Sequence, residues 1–178
     1  MKIAIIIAFE DFRDEEYFIP KSEFENANFQ VKTFSTRLGE ALGVFGGTTS
    51  VDAIIDDLNV ADFDAIIFVG GRGAKKYIED KKCWEIAKEA VAENKILGAI
   101  CIAPAILARA GVLENKMATV WSSEMDKSAI KILKEGKAKY IEKDVVKDGN
   151  IITANGPESA RKFAKEIISL LEEKELQI

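Results

Sequence analysis

Short apolar runs recur along this chain, each followed by a stretch with helical spacing, and that alternation limits the possible folds more than any other feature. Lys2-Ile3-Ala4-Ile5-Ile6-Ile7-Ala8, Asp64-Ala65-Ile66-Ile67-Phe68-Val69 and Ile96-Leu97-Gly98-Ala99-Ile100 are the right length for buried strands and too short to span a membrane. Between and after them, Cys83, Ile86, Ala87, Ala90 and Val91 follow helical spacing over Lys81 to Glu93. Ala160, Phe163, Ala164, Ile167, Ile168 and Leu171 do the same in the last segment. Strands that alternate with helices from end to end predict an α/β chain with a mainly parallel sheet and helices on both faces.

The remaining segments fit this plan. A helix is expected from about Glu15 to Asn28, starting close to Glu16 because the ring of Pro20 disturbs the carbonyl four residues back. Gln30 to Ser35 reads as the second strand. Gly46-Gly47, between Leu42–Phe45 and Thr48–Val51, gives a two-residue hairpin signal, as does Asp148-Gly149 between Val145–Lys147 and Asn150–Thr153. Lys116 to Trp121 reads as a strand and Met125 to Lys134 as a helix. Pro157 suits the first position of the last helix, with Asn155 as its cap.

The 178 residues suit one domain, 1–178. A net charge of −5 with interspersed signs leaves no basic patch for nucleic acid. With no apolar run long enough for a membrane span and no signal-peptide pattern, the expectation is a cytoplasmic protein without a membrane partner. Two cysteines in such a setting argue against a structural disulfide. The chain has no histidine. A Cys-His or Ser-His dyad is thereby excluded, as are the commonest zinc sites, and neither a metal nor a cofactor is expected.

Cys101 stands where the Ile96–Ile100 run meets the helix that Pro104 is placed to start. A sharp strand-to-helix turn presents its corner side chain beside free backbone N–H groups, which favours a thiolate and hence a nucleophile. From the residues alone the same cysteine is equally a small buried hydrophobe. Cys83, on the apolar stripe of its helix, reads as packing. Gly70-Gly71-Arg72-Gly73 follows another buried strand. Paired glycines there allow a tight turn and bring N–H groups near an oxyanion, or make only a strand-to-helix connection.

Four pieces then line up: Glu16-x-x-x-Pro20, Gly70-Gly71-Arg72, Ala99-Ile100-Cys101-x-x-Pro104 and Asp148-Gly149-Asn150-Ile151-Ile152-Thr153-Ala154-Asn155-Gly156-Pro157. In that order and spacing the chain resembles the ThiJ/PfpI superfamily over almost its whole length. The resemblance implies a flavodoxin-like three-layer sandwich, related to class I glutamine amidotransferase domains and assembled as a dimer or larger. It also implies that Cys101 is the reactive elbow cysteine and that Glu16, which alone has the matching distance to Pro20, is the carboxyl group bonded to it. Gly70 and Gly71, with the backbone N–H of Ile102, would form the oxyanion pocket, and Trp121 would wall it. The chain departs from its relatives in having Ile102 where the protease-like branch has histidine. It also has Thr119-Val120-Trp121 where another branch has one, and Lys75-Lys76 where an acid would follow the glycines. The resemblance implies a cysteine-dependent enzyme of the glyoxalase or deglycase type acting on a small carbonyl compound. The alternatives are a redox sensor or stress-protective protein with an oxidisable Cys101, and then a peptidase or amidase.

Overall fold

The computed structural model describes residues 1–176. In chain order, β1 (Lys2–Ile6) and a short β2 (Glu10–Phe12) lead to α1 (Asp14–Asn26). Next come β3 (Gln30–Ser35), the hairpin of β4 (Gly39–Gly43) and β5 (Thr48–Val51), and β6 (Ala53–Ile54). After β7 (Ala65–Phe68), 3-10 turns over Arg72–Glu79 precede α2 (Lys81–Ala92), then β8 (Ile96–Ile100) and α3 (Pro104–Arg109). The chain closes with β9 (Met117–Ala118), α4 (Ser128–Glu135), β10 (Lys139–Tyr140), β11 (Val145–Asp148), β12 (Ile151–Ala154) and α5 (Ala160–Glu175).

The main sheet has seven strands in the order β11-β12-β8-β7-β1-β3-β6. All its pairings are parallel except that of β11 with β12. β7 and β8 are buried at every residue and β1 at all but its first, as continuous apolar runs require when both faces are covered. α1 packs with α5, and α2 packs with α3 over β7 and β8, completing a flavodoxin-like α/β arrangement. The chain runs outward from β1 to β3 and β6, then returns to β7 on the other side of β1. This reversal opens a crevice beyond the carboxyl ends of β1 and β7, where ligands of open α/β sheets bind. No helix among the described residues is long and apolar enough to cross a membrane.

Several expected boundaries shift, each for a local reason. Helix α1 begins at Asp14, two residues before Glu16. Pro20 frees only the Glu16 carbonyl, and the helix tolerates that single lost bond. The helix ends at Asn26, with Asn28 in the left-handed region at φ 62°. The expected two-residue turn at Gly46-Gly47 is wider, because Leu42 faces Thr48. The Asp14 carboxylate accepts the Phe45 N–H at 2.9 Å and the Gly47 N–H at 2.7 Å, so a side chain holds the hairpin tip against the start of α1. In the last hairpin Asp148 pairs with Ile151, so the turn centres on Gly149-Asn150, one residue later than expected.

The strand expected over Lys116–Trp121 reduces to Met117–Ala118, paired with β10 in a separate sheet. Its later donors go to single partners: Thr119 N–H to Thr153 Oγ1 at 2.9 Å, and Trp121 N–H to the Cys101 carbonyl at 2.8 Å. Helix α4 starts at Ser128, because Asp126 takes the Ser128 N–H at 2.9 Å and fixes a turn before it. Val91 is exposed and Ile168 only half-buried, whereas Leu170 joins the core. Asn155 accepts the Ser159 hydroxyl at 2.6 Å instead of capping a backbone N–H.

Candidate functional site

Cys101 follows the last residue of β8 and has φ 65°, a conformation that non-glycine residues rarely adopt. Two backbone bonds to other segments keep it there. Its N–H donates to the Ala154 carbonyl at 2.9 Å, and its carbonyl accepts the Trp121 N–H at 2.8 Å. Pro104 opens α3, but that helix has only six residues, so its dipole is short. The backbone N–H groups of Gly71 and Ile102 lie near the sulfur and favour its charged form.

Glu16 sits in the first turn of α1 and is wholly buried. Its Oε2 accepts the Gly70 N–H at 3.1 Å. Its Oε1 is buried with no partner in hydrogen-bond geometry, while the carboxyl group lies against the Cys101 thiol. Burial pushes the Glu16 pKa up to about 7, against the pull of Cys101, Arg13 and the Gly70 N–H. Glu15 turns outward and pairs with Arg13 at 2.8 Å, so Glu16 is the acid brought to the cysteine.

The sequence predicts a depressed thiol pKa at this turn, and the structure reverses that direction. Burial pushes the Cys101 thiol up, the charge of an ionised Glu16 adds to the rise, and the Gly71 and Ile102 amides oppose it. The two groups therefore titrate as a pair. An ionised Glu16 opposes a thiolate, and a protonated carboxyl would remove that repulsion and could donate its O–H to the sulfur. The orphaned Oε1 is the atom suited to carry that proton.

The paired glycines are required by space. A Cβ on Gly70 would stand 2.6 Å from both the Cys101 Cβ and Glu16 Oε2. One on Gly71, where φ is 105°, would stand 2.5 Å from the Arg13 nitrogen and the Asp11 carbonyl oxygen. The crevice above them encloses about 410 Å³ and reaches Glu16, Gly71, Cys101, Ile102 and Trp121. It is also lined by Arg13, Arg72 and Lys75, with Val44 and Pro157 at its edge. Sequence reasoning assigned no site role to these five. Arg72 in Gly-Gly-Arg, Lys75 in the departure that follows it and Pro157 in the last motif piece were the available signals, whereas Arg13 and Val44 reach the crevice through loop geometry.

The DJ-1/PfpI family profile matches residues 1–170. The chain belongs to the DJ-1/PfpI family. An uncharacterized protein from Methanocaldococcus jannaschii is 42% identical over 172 residues, covering 96% of this chain and 82% of that protein. The deglycase PfpI of Pyrococcus furiosus is 30% identical over 171 residues, covering 96% and 99%. Among solved structures, a ThiJ/PfpI domain protein from Brachyspira murdochii superposes with a TM-score of 0.92 at 33% identity, covering 97% of this chain and 96% of that one.

The two cysteines of this DJ-1/PfpI chain differ in access. Cys83 is buried, and burial raises its pKa with the charge of Asp80 adding to the effect. Cys101 is partly exposed at the crevice and has a proton donor beside it. Limited peroxide treatment of the folded protein is expected to oxidise Cys101 first, resting at the sulfinate step. Peptide mass spectrometry reads the order, and equal rates at Cys83 would return Cys101 to a packing role.

Proposed function

We propose that this protein is a cysteine-dependent enzyme acting on small reactive carbonyl compounds, of the glyoxalase or deglycase type. The observation that carries the reading is the pair itself: a buried carboxyl with an unpartnered Oε1, against a thiol at a strained turn, on the wall of a crevice. A Glu16 pKa of about 7 suits a group that must both accept and return a proton near neutral pH. The name deglycase carried by the Pyrococcus relative supports the same chemistry.

For a 2-oxoaldehyde the Cys101 sulfur forms a bond to the aldehyde carbon. The carbonyl π pair moves to oxygen and takes up a proton, with the Gly71 and Ile102 N–H groups placed to hold that oxygen. Glu16 removes the hydrogen of that carbon as a proton and returns it to the neighbouring ketone carbon. The hydroxyl proton on the former aldehyde oxygen passes to the ketone oxygen, so the aldehyde carbon is oxidised to a thioester as its neighbour is reduced to an alcohol. Water then cleaves the carbon–sulfur bond and regenerates the thiol. Overall a 2-oxoaldehyde plus water gives a 2-hydroxy acid, and no external oxidant enters.

The test is turnover of methylglyoxal with lactate as the detected product, beside a Cys101→Ser control. Lactate formation that disappears in the variant is the expected result. Equal rates in both proteins would remove the cysteine from the reaction. A second reading, a redox-responsive protein, uses the same Glu16–Cys101 pair without needing a histidine base. It is favoured if Cys101 reaches sulfinate under mild peroxide and no lactate forms.

A further inference from the structure

Three cationic side chains, Arg13, Arg72 and Lys75, line the crevice over Cys101, and among the described residues Glu16 is the only carboxyl group lining it. Glu16 is wholly buried beside the Cys101 thiol, and burial favours its neutral form. The acids paired with these cations are not among the residues that line the crevice. Arg13 pairs with Glu15 at 2.8 Å and its guanidinium stands 4.6 Å from the Phe45 ring centroid, while Arg72 reaches Asp11 at 3.1 Å. Lys75 forms no ion pair among the described residues, although Asp126 is near enough to feel its charge. Part of that positive charge, Lys75, comes from the run Gly73-Ala74-Lys75-Lys76.

We propose that this crevice selects carbonyl compounds bearing a carboxylate close to the reacting carbon, held by Arg72 and Lys75 while Cys101 attacks. The proposal rests on the carbonyl reading above and names the substrate class within it. A carboxylate fits guanidinium and ammonium donors, which give it charge-assisted hydrogen bonds. For a 2-oxoaldehyde whose carboxylate lies beyond the ketone carbon, the bond changes are those already given, since the carboxylate takes no part in them.

Alkylation of Cys101 tests this without a turnover assay. Iodoacetate carries a carboxylate one bond from its reacting carbon, and iodoacetamide is its neutral counterpart. The ratio of their rates at Cys101, followed by peptide mass spectrometry, is expected to exceed that of free cysteine by about five-fold or more, and to shrink at high salt. Lys75→Gln and Arg72→Gln should each lower the ratio by several-fold, while Lys75→Arg keeps it. A wild-type ratio equal to that of free cysteine, or a ratio unchanged in both glutamine variants, overturns the proposal and leaves the carbonyl reading standing. If Cys101 reacts with neither reagent, the carbonyl reading falls and this one with it.

Discussion

Glu16→Gln lowers methylglyoxal turnover by roughly 10²–10⁴-fold, the usual worth of a positioned acid–base group, and at the same time makes the protein more stable at pH 8. The amide keeps the shape of the side chain, can still accept the Gly70 N–H, and can still donate to sulfur, but it cannot move a proton. The stability gain follows from the sign of the pKa shift. An unfolded glutamate has a pKa near 4.3, and folding raises Glu16 to about 7 through burial. The folded state therefore binds the proton more tightly, and its stability falls as pH rises from the unfolded value through the folded one. The full loss is about 4 kcal/mol above that window. Glutamine has no such loss, so urea unfolding should show Glu16→Gln gaining most at pH 8 and much less near pH 5. An equal gain at both values, or a loss at pH 8, would mean that the carboxyl group is not held as described.

The parts of this molecule that depend on one residue's own neighbours in sequence were legible before any coordinates. β1, β7 and β8 announced themselves as uninterrupted apolar runs, because a strand covered on both faces has no polar side to alternate with. The Gly70-Gly71 pair and the Cys101 corner were legible for a similar reason, since each lies where a buried run stops. Glu16 needed more than its neighbours, because Asp14 and Glu15 are also acids in the first turn of α1 and only the fold decides which one turns inward.

What stayed hidden was set by distant contacts. The segment after Met117–Ala118 has the look of a strand, yet its donors go to Thr153 and Cys101 one at a time, so no ladder forms. Helix α1 starts at Asp14, whose carboxylate is bound by the sequence-distant hairpin tip at Phe45 and Gly47. The raised pKa of Cys101 could not be read either, since a helix terminus and nearby amides lower it and only the depth of burial shows that they are outweighed. The cationic lining of the crevice combines a residue from before α1 with two from after β7, a juxtaposition made by the parallel order of the sheet.

Gly70→Ala is expected to damage both the fold and the site, although it adds a single methyl group. That carbon would lie 2.6 Å from the Cys101 Cβ, 2.6 Å from Glu16 Oε2 and 2.8 Å from the Ile100 carbonyl oxygen. The Ile100 oxygen is backbone, and the Cys101 Cβ is attached to a residue already held at φ 65° by bonds from Ala154 and Trp121. Neither can swing away, so the Glu16 carboxyl must yield and its 3.1 Å bond from the Gly70 N–H is lost. Overpacking of this kind costs about 1–3 kcal/mol, and the upper end applies where the obstacles are backbone. Displacing the acid by about an ångström costs roughly a further 10²-fold in turnover. Gly111→Ala is the matched comparison: its φ is 79°, but a Cβ there meets nothing within 4 Å. That variant should lose only the 1–2 kcal/mol, roughly, of a left-handed residue and keep its turnover. Denaturant unfolding and methylglyoxal kinetics on the two variants separate strain from collision. If Gly70→Ala matched Gly111→Ala in both stability and turnover, the close approach of Glu16, Gly70 and Cys101 would not be what sets the site.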